Sequence, residues 1–244
     1  MPFERYMVPV SGSSDAAIEE ELIRLRAELD SEYDLREVAH RFGQSDFTFL
    51  SVLDSYALLD RIDPAAFVKD EQMPYWAEIW PAAVTLSRQI VETGELAGKS
   101  VLELGAGVGM ASIAAAKSGA RVLCTDYSTE ALRFVAYNAM LNRVALDTCR
   151  LDWRMVKGNE KFDAVIAADV LYERVNLLPI VTAIDALLAP GGAAWIADPR
   201  RRLADQFLEL VHENGFEVAE TRMFDADGDQ TVAVTIYKLQ RAKV

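Results

Sequence analysis

From Lys99 onward, short continuous apolar runs alternate with segments whose apolar residues recur at helical spacing. The runs S-V-L-E-L (100–104), R-V-L-C-T-D (121–126), F-D-A-V-I-A-A-D (162–169) and G-G-A-A-W-I-A-D (191–198) read as buried strands, because strands of a sheet covered on both faces lose the polar alternation. Residues 148–151 read as a shorter strand. Between them, 110–118, 128–142, 175–188 and 203–214 read as amphipathic helices. Ser128 is placed to cap one, Gly119 and Gly215 to end two, and Pro179 falls in the first turns of another. Residues 216–224 and 231–239 read as two strands joined by an Asp-Gly-containing link, which favours a hairpin. Strand–helix alternation followed by a hairpin predicts an α/β fold: a doubly wound, mostly parallel seven-stranded sheet with a C-terminal antiparallel hairpin.

The first part of the chain is patterned differently. Ile18, Leu22, Leu25 and Leu29 predict an amphipathic helix, and Leu35, Val38, Ala39 and Phe42 a second one ended by Gly43. Residues 46–53 read as a strand and 55–60 as strand or helix, before Pro64 interrupts the pattern. S-G-S-S at 11–14 reads as loosely ordered. Pro81 suits the first position of a helix running to Thr93, with Gly94 past its end. The chain thus divides into a helical N-terminal extension, 1–75, and a catalytic domain, 76–244. The Ile18–Leu29 stripe suits local core or a subunit contact, and leaves the oligomeric state open.

Of the 244 residues 51% are hydrophobic, enough for a large core, yet no apolar run reaches the ~18 residues that span a bilayer. The N-terminus lacks a secretory pattern. Cys124 and Cys149 lie outside any metal-ligand spacing, so no metal site is expected, and two free thiols point to a reducing cytoplasm. The formal net charge of −13 disfavours nucleic acid as a partner, although Arg200, Arg201 and Arg202 form a local basic patch. Acidity also suits a cationic partner, or simply solubility.

The chemistry concentrates at Val101–Met110, V-L-E-L-G-A-G-V-G-M. A strand ends at Glu103 or Leu104, and Gly105, Gly107 and Gly109 then let the backbone turn tightly against a ligand at the carboxyl edge of the sheet. Asp126 ends the next strand, where a carboxylate can take both hydroxyls of a ribose. The spacing departs from the dinucleotide pattern G-x-G-x-x-G. Glu103 is moreover a poor neighbour for pyrophosphate and a good one for an ammonium group. These residues favour S-adenosyl-L-methionine over a nicotinamide cofactor.

V-L-E-L-G-A-G-V-G resembles the first motif of class I (seven-β-strand) S-adenosylmethionine-dependent methyltransferases. Y-W-A-E-I-W-P (75–81), L-D-W (151–153), A-A-D-V-L-Y-E (167–173) and A-D-P-R-R (197–201) resemble the protein lysine methyltransferase group. That group includes the electron-transfer-flavoprotein β-subunit lysine methyltransferases and nicotinamide N-methyltransferase-like proteins. The resemblance covers about 74–202. It implies that Glu103, Gly105 and Gly107 line the methionine end of the cofactor, with Trp80 nearby and Ala168 against it. It further implies that Asp126 holds the ribose and that Asp152 and Trp153 flank the adenine. Asp169 and Tyr172 match the family's D-x-x-Y and are the expected catalytic pair, Asp169 orienting the amine and Tyr172 shaping its channel. Glu173 suits either this site or a helix cap, and Glu78 is a further candidate for guiding a cation. His40 and His212 read as structural.

The expected activity is N-methylation of a protein lysine. A small-molecule N- or O-methyltransferase and a non-catalytic binding module of the same fold are the alternatives, with no membrane partner expected in any of them.

Overall fold

The computed structural model describes residues 3–8, 10, 14–61, 73–156, 160–227 and 230–242. Ser11–Ser13 of the loosely ordered stretch, Pro64, and the Gly228–Asp229 link lie outside the described residues.

An eight-stranded sheet organises the chain, in the order β1 (Tyr6–Met7), β6 (Asp147–Arg150), β5 (Arg121–Asp126), β4 (Ser100–Leu104), β7 (Phe162–Ala168), β8 (Leu188–Asp198), β10 (Gln230–Arg241) and β9 (Phe216–Asp227). The five central strands, β6 to β8, are parallel. β10 runs antiparallel to both β8 and β9, which gives the expected terminal hairpin. The eighth strand, β1, adds two residues to the β6 edge in antiparallel register, too few to leave a periodic trace in the sequence.

Helices cover both faces: α1 (Asp15–Glu32), α2 (Pro81–Thr93), α3 (Met110–Lys117), α4 (Thr129–Leu141), α5 (Arg174–Leu187) and α6 (Ala204–Glu213). Ser128 caps α4 by accepting from Ala131 N–H at 3.3 Å. α2 starts with Pro81 and ends at Gly94 in the left-handed conformation. Two apolar layers result. One holds Val101, Ile113, Phe134 and Ile166, the other Leu102, Leu104, Ile180 and Phe207. Alternate residues of β4 enter opposite layers, as the pleat requires. In α1, Ile18, Leu22 and Leu29 are buried in the first layer, so the stripe serves as local core.

The helix expected over Leu35–Phe42 is instead a strand, β2, paired antiparallel with β3 (Ser45–Val52) as a separate two-stranded sheet. Phe42 pairs with Ser45, leaving a two-residue turn. Gly43 occupies its first position at φ +57°, where a glycine suits the twist of a hairpin. Gly43 therefore turns the chain instead of ending a helix. Two asparagines, Asn138 of α4 and Asn142 that caps its C-terminus, hold the hairpin. Asn138 takes Leu50 N–H on Oδ1 at 2.7 Å, and donates from Nδ2 to Leu50 O and to Val108 O, both at 3.0 Å. Asn142 repeats the exchange with Thr48, at 3.1 and 2.7 Å. The 55–60 segment, left open as strand or helix, forms a 3-10 turn, Tyr56–Arg61.

Candidate active site

The carboxyl ends of β4, β5, β6 and β7 open into one cleft, about 1080 Å³ of empty space counted out to its mouth. All ten residues expected at the site line it: Trp80, Glu103, Gly105, Gly107, Asp126, Asp152, Trp153, Ala168, Asp169 and Tyr172.

The floor is the glycine turn. Gly105, Gly107 and Gly109 have φ of +67°, +55° and +86°, a region that costs other residues about 1–2 kcal/mol. Space demands glycine as well. A Cβ on Gly105 would lie 2.9 Å from the Trp153 ring, and one on Gly107 3.2 Å from Trp76 O. Asp126 closes the turn by accepting Gly107 N–H on Oδ2 and Ser128 N–H on Oδ1, both at 2.8 Å. Burial pushes its pKa up to about 6, against those backbone hydrogen bonds. Glu103 is 1% exposed and accepts Ser112 N–H, from the first turn of α3, at 2.9 Å. Burial raises its pKa to about 8; the Ser112 hydrogen bonds oppose this and the Asp126 charge adds to it.

On the β6 side, Trp153 lies against Gly105 and donates its indole N–H to Asn176 Oδ1 at 3.3 Å. Asp152 caps the 3-10 turn Trp153–Met155 and pairs with Arg154 at 2.8 Å. Burial works against its ionisation, but the Arg154 guanidinium and N–H hold its pKa below the usual carboxylate range.

At the β7 end the arrangement changes character. Asp169 takes φ +58°, and its N–H donates to Ala197 O at 2.8 Å, prolonging the β7–β8 ladder. Oδ1 accepts from Arg201 Nε, while the buried Oδ2 has no hydrogen-bond partner among the described residues. A second buried carboxylate, Asp198, accepts Arg201 N–H at 2.8 Å, and its pKa is pushed up to about 6, chiefly by burial. Beside them stand three aromatic rings. Tyr75 lies 4.9 Å from Tyr172 and 6.2 Å from Trp80 between centroids, and the Arg201 guanidinium lies 5.7 Å from the Trp80 ring. Trp80 is oriented by its N–H on Tyr75 O at 2.8 Å.

Of the other candidates, Glu78 lines the cleft and accepts from Ser55 Oγ. Glu173 is the N-cap residue of α5 without a side-chain capping bond; it accepts from Asn176 Nδ2 at 2.6 Å. His40 stacks on Phe42, and His212 meets Phe216 O at 3.1 Å, both away from the cleft. The sequence reading missed the roles of Tyr75, Asn176 and Arg201. Tyr75 stands inside the Y-W-A-E-I-W-P motif and Arg201 inside both A-D-P-R-R and the basic run, but nothing marks Asn176.

These residues fit S-adenosylmethionine. Buried carboxylates at the ends of adjacent strands flank a turn that only glycine satisfies, and one of them, Glu103, meets no cation among the described residues.

The profile of a lysine methyltransferase family matches residues 67–214. The human electron transfer flavoprotein beta subunit lysine methyltransferase is 36% identical over 102 residues, which are 41% of this chain and 39% of that protein. The chain thus spans about two fifths of the length of that relative. Mouse protein N-lysine methyltransferase METTL21A is 31% identical over 180 residues, 70% of this chain and 79% of that one. Among solved structures, a Lactobacillus delbrueckii ribosomal protein L11 methylase superposes with a TM-score of 0.52 at 24% identity, covering 65% of this chain and 79% of that chain. A T. thermophilus 16S rRNA methyltransferase in complex with AdoMet and guanosine gives 0.57 at 16% identity, covering 85% and 51%. At these identities the superpositions establish the class I methyltransferase fold alone. The family match covers more than half of the chain: it belongs to the lysine methyltransferase family.

Proposed function

We propose that this chain transfers a methyl group from S-adenosylmethionine to a lysine side chain of a protein substrate. The observation that carries the reading is Asp169 Oδ2, a buried carboxylate oxygen without a hydrogen-bond partner among the described residues, beside Tyr75, Trp80 and Tyr172 in the cleft that holds the glycine turn. An anionic acceptor within an aromatic wall suits an amine that arrives as an ammonium. Family membership supports lysine as the acceptor.

Glu103, Gly105 and Gly107 would hold the methionine end of the donor, with Trp80 and Ala168 beside it. Asp126 would hold the ribose, and Asp152 and Trp153 the adenine. When bound, the donor supplies a sulfonium methyl carbon, whose bond to sulfur breaks as the bond to nitrogen forms. The chain's own residues prepare the nitrogen. A lysine withdrawn from water gives up its proton more readily, and that proton leaves to solvent at the cleft mouth before the nitrogen attacks. Asp169 Oδ2 accepts a hydrogen bond from the nitrogen and turns its lone pair into the cleft. Arg201 pins Oδ1 and offsets the cost of burying the Asp169 carboxylate. Tyr172 and Tyr75 narrow the passage, which restricts the nitrogen to a productive approach.

The donor site would lie in 76–244, with 1–75 as a supporting extension. The protein would act in the cytoplasm, in keeping with the free, buried Cys124 and Cys149. Among the described residues no helix is long and apolar enough to cross a membrane. Calorimetric titration tests the cofactor assignment. S-adenosylmethionine and its demethylated product should bind and NAD should not; NAD binding, or none by the first two, defeats it.

A further inference from the structure

Beside the cleft mouth lies a second concavity, about 980 Å³ counted out to its opening. Four arginines line it, Arg174, Arg200, Arg201 and Arg202, in a chain of net charge −13. Arg201 is committed to Asp169. Arg174, Arg200 and Arg202 are exposed, and among the described residues none of their guanidinium groups pairs with a carboxylate, although the Arg200 backbone N–H meets Asp198.

Local stability does not explain this gathering. Arg174 is the first residue of α5, where a positive charge opposes the helix dipole. Arg200 holds φ +60°, a conformation that favours glycine. α6 begins behind Leu203, a residue that cannot cap it with a side chain. Three departures from local preference meet at one concavity, a pattern expected where function sets the sequence.

Tyr172 forms part of both walls, so the concavity adjoins the proposed methyl-transfer end of the cleft. Consecutive residues of a chain are 3.8 Å apart, which brings side chains one to three positions from a bound lysine within reach. We infer that Arg174, Arg200 and Arg202 receive aspartate or glutamate side chains flanking the target lysine, so that the substrate is an acidic segment of a protein. The inference rests on the proposed lysine methylation. An acidic peptide fits better than RNA: a few carboxylates need only this small basic footprint, whereas an extended polyanion would also meet the acidic surface around it.

The test is fluorescence anisotropy with the full chain and labelled 15-residue peptides that carry a central lysine flanked by Asp and Glu, by Ser and Gln, or by Arg. A 15-nucleotide oligouridylate is measured alongside. Wild type is compared with a doubly substituted chain, Arg174→Glu with Arg202→Glu, both exposed and both outside the cofactor site. S-adenosylmethionine affinity and thermal midpoint check that this variant is intact. Exposed ion pairs are worth about 1.5- to 5-fold each, so the acidic peptide should bind wild type about 10-fold more tightly than the neutral one. The variant should lose that preference and favour the Arg peptide. Equal affinity for acidic and neutral peptides, no binding of either, a preference unchanged in the variant, or tighter binding of the oligouridylate would each overturn the inference. Because binding is the readout, an arginine-dependent preference in a chain that transfers no methyl group would refute the proposed activity and leave the docking surface standing. Methyl transfer without that preference would do the reverse.

Discussion

Glu103→Gln should make the ligand-free protein more stable at alkaline pH, although the position lies at the centre of the proposed site. The Glu103 carboxyl is 1% exposed, and burial raises its pKa to about 8. In the unfolded chain it ionises near the ordinary 4.5. Between those values the folded state holds a proton that the unfolded state has released, so stability falls as pH rises, by up to about 1.4 kcal/mol per pH unit. Carried from 4.5 to about 8, this reaches about 5 kcal/mol, fully expressed above pH 8 and absent below 4.5. Glutamine keeps the shape, and its amide oxygen can still accept Ser112 N–H, but it cannot ionise. Asp126, with its pKa near 6, titrates in both proteins and leaves the interval from 6 to 8 to Glu103. Urea unfolding of the ligand-free proteins from pH 5.5 to 9 checks this. The variant should gain about 2–5 kcal/mol at pH 8.5, and the two curves should converge toward pH 5. A difference independent of pH, or a variant less stable at pH 8.5, would refute the argument. The same substitution should weaken S-adenosylmethionine binding at least about 10-fold, because the donor's ammonium is the missing counter-ion.

Other perturbations separate the parts of the site. Gly105→Ala and Gly119→Ala both place a side chain at positive φ, yet only the first meets a neighbour, the Trp153 ring at 2.9 Å. Both should lower the thermal midpoint by a few degrees, roughly 2–4 °C per kcal/mol of strain, and only Gly105→Ala should weaken donor affinity; equal affinities would remove the turn from the site. Asp126→Ala should abolish measurable donor binding by calorimetry, and unchanged affinity would sink the ribose assignment. Tyr172→Phe should lower kcat more than it weakens donor binding, and unchanged turnover would take its hydroxyl out of the chemistry. Asn138→Ala leaves Leu50 N–H, Leu50 O and Val108 O without their side-chain partner. It should cost about 3 kcal/mol in urea unfolding, and a loss below about 1 kcal/mol would show that water replaces the amide.

Local constraints made most of the site legible in the sequence. The glycine turn needs positive φ at fixed positions, and Glu103 and Asp126 end neighbouring strands, so residue type and spacing disclosed them. The hairpin misled because Leu35, Val38, Ala39 and Phe42 satisfy helical spacing, while Val38, His40 and Phe42 satisfy strand spacing. Asn138 and Asn142, about 90 residues away, hold its partner strand, and no local pattern carries that information. Arg201 was equally hidden: its bond to Asp169 spans 32 residues and forms only when β7 and β8 lie side by side. Asn176 joins the site through Trp153 and Glu173, from an ordinary helical position.

The most direct test incubates the protein with S-adenosylmethionine labelled on its methyl group and an extract of cells lacking the protein, with Asp126→Ala as the blank. The label should enter a protein, resist ribonuclease, yield to protease and be recovered as methyl-lysine. Label released by ribonuclease, recovered on another residue or on a small molecule, or no greater than the Asp126→Ala blank would contradict the account.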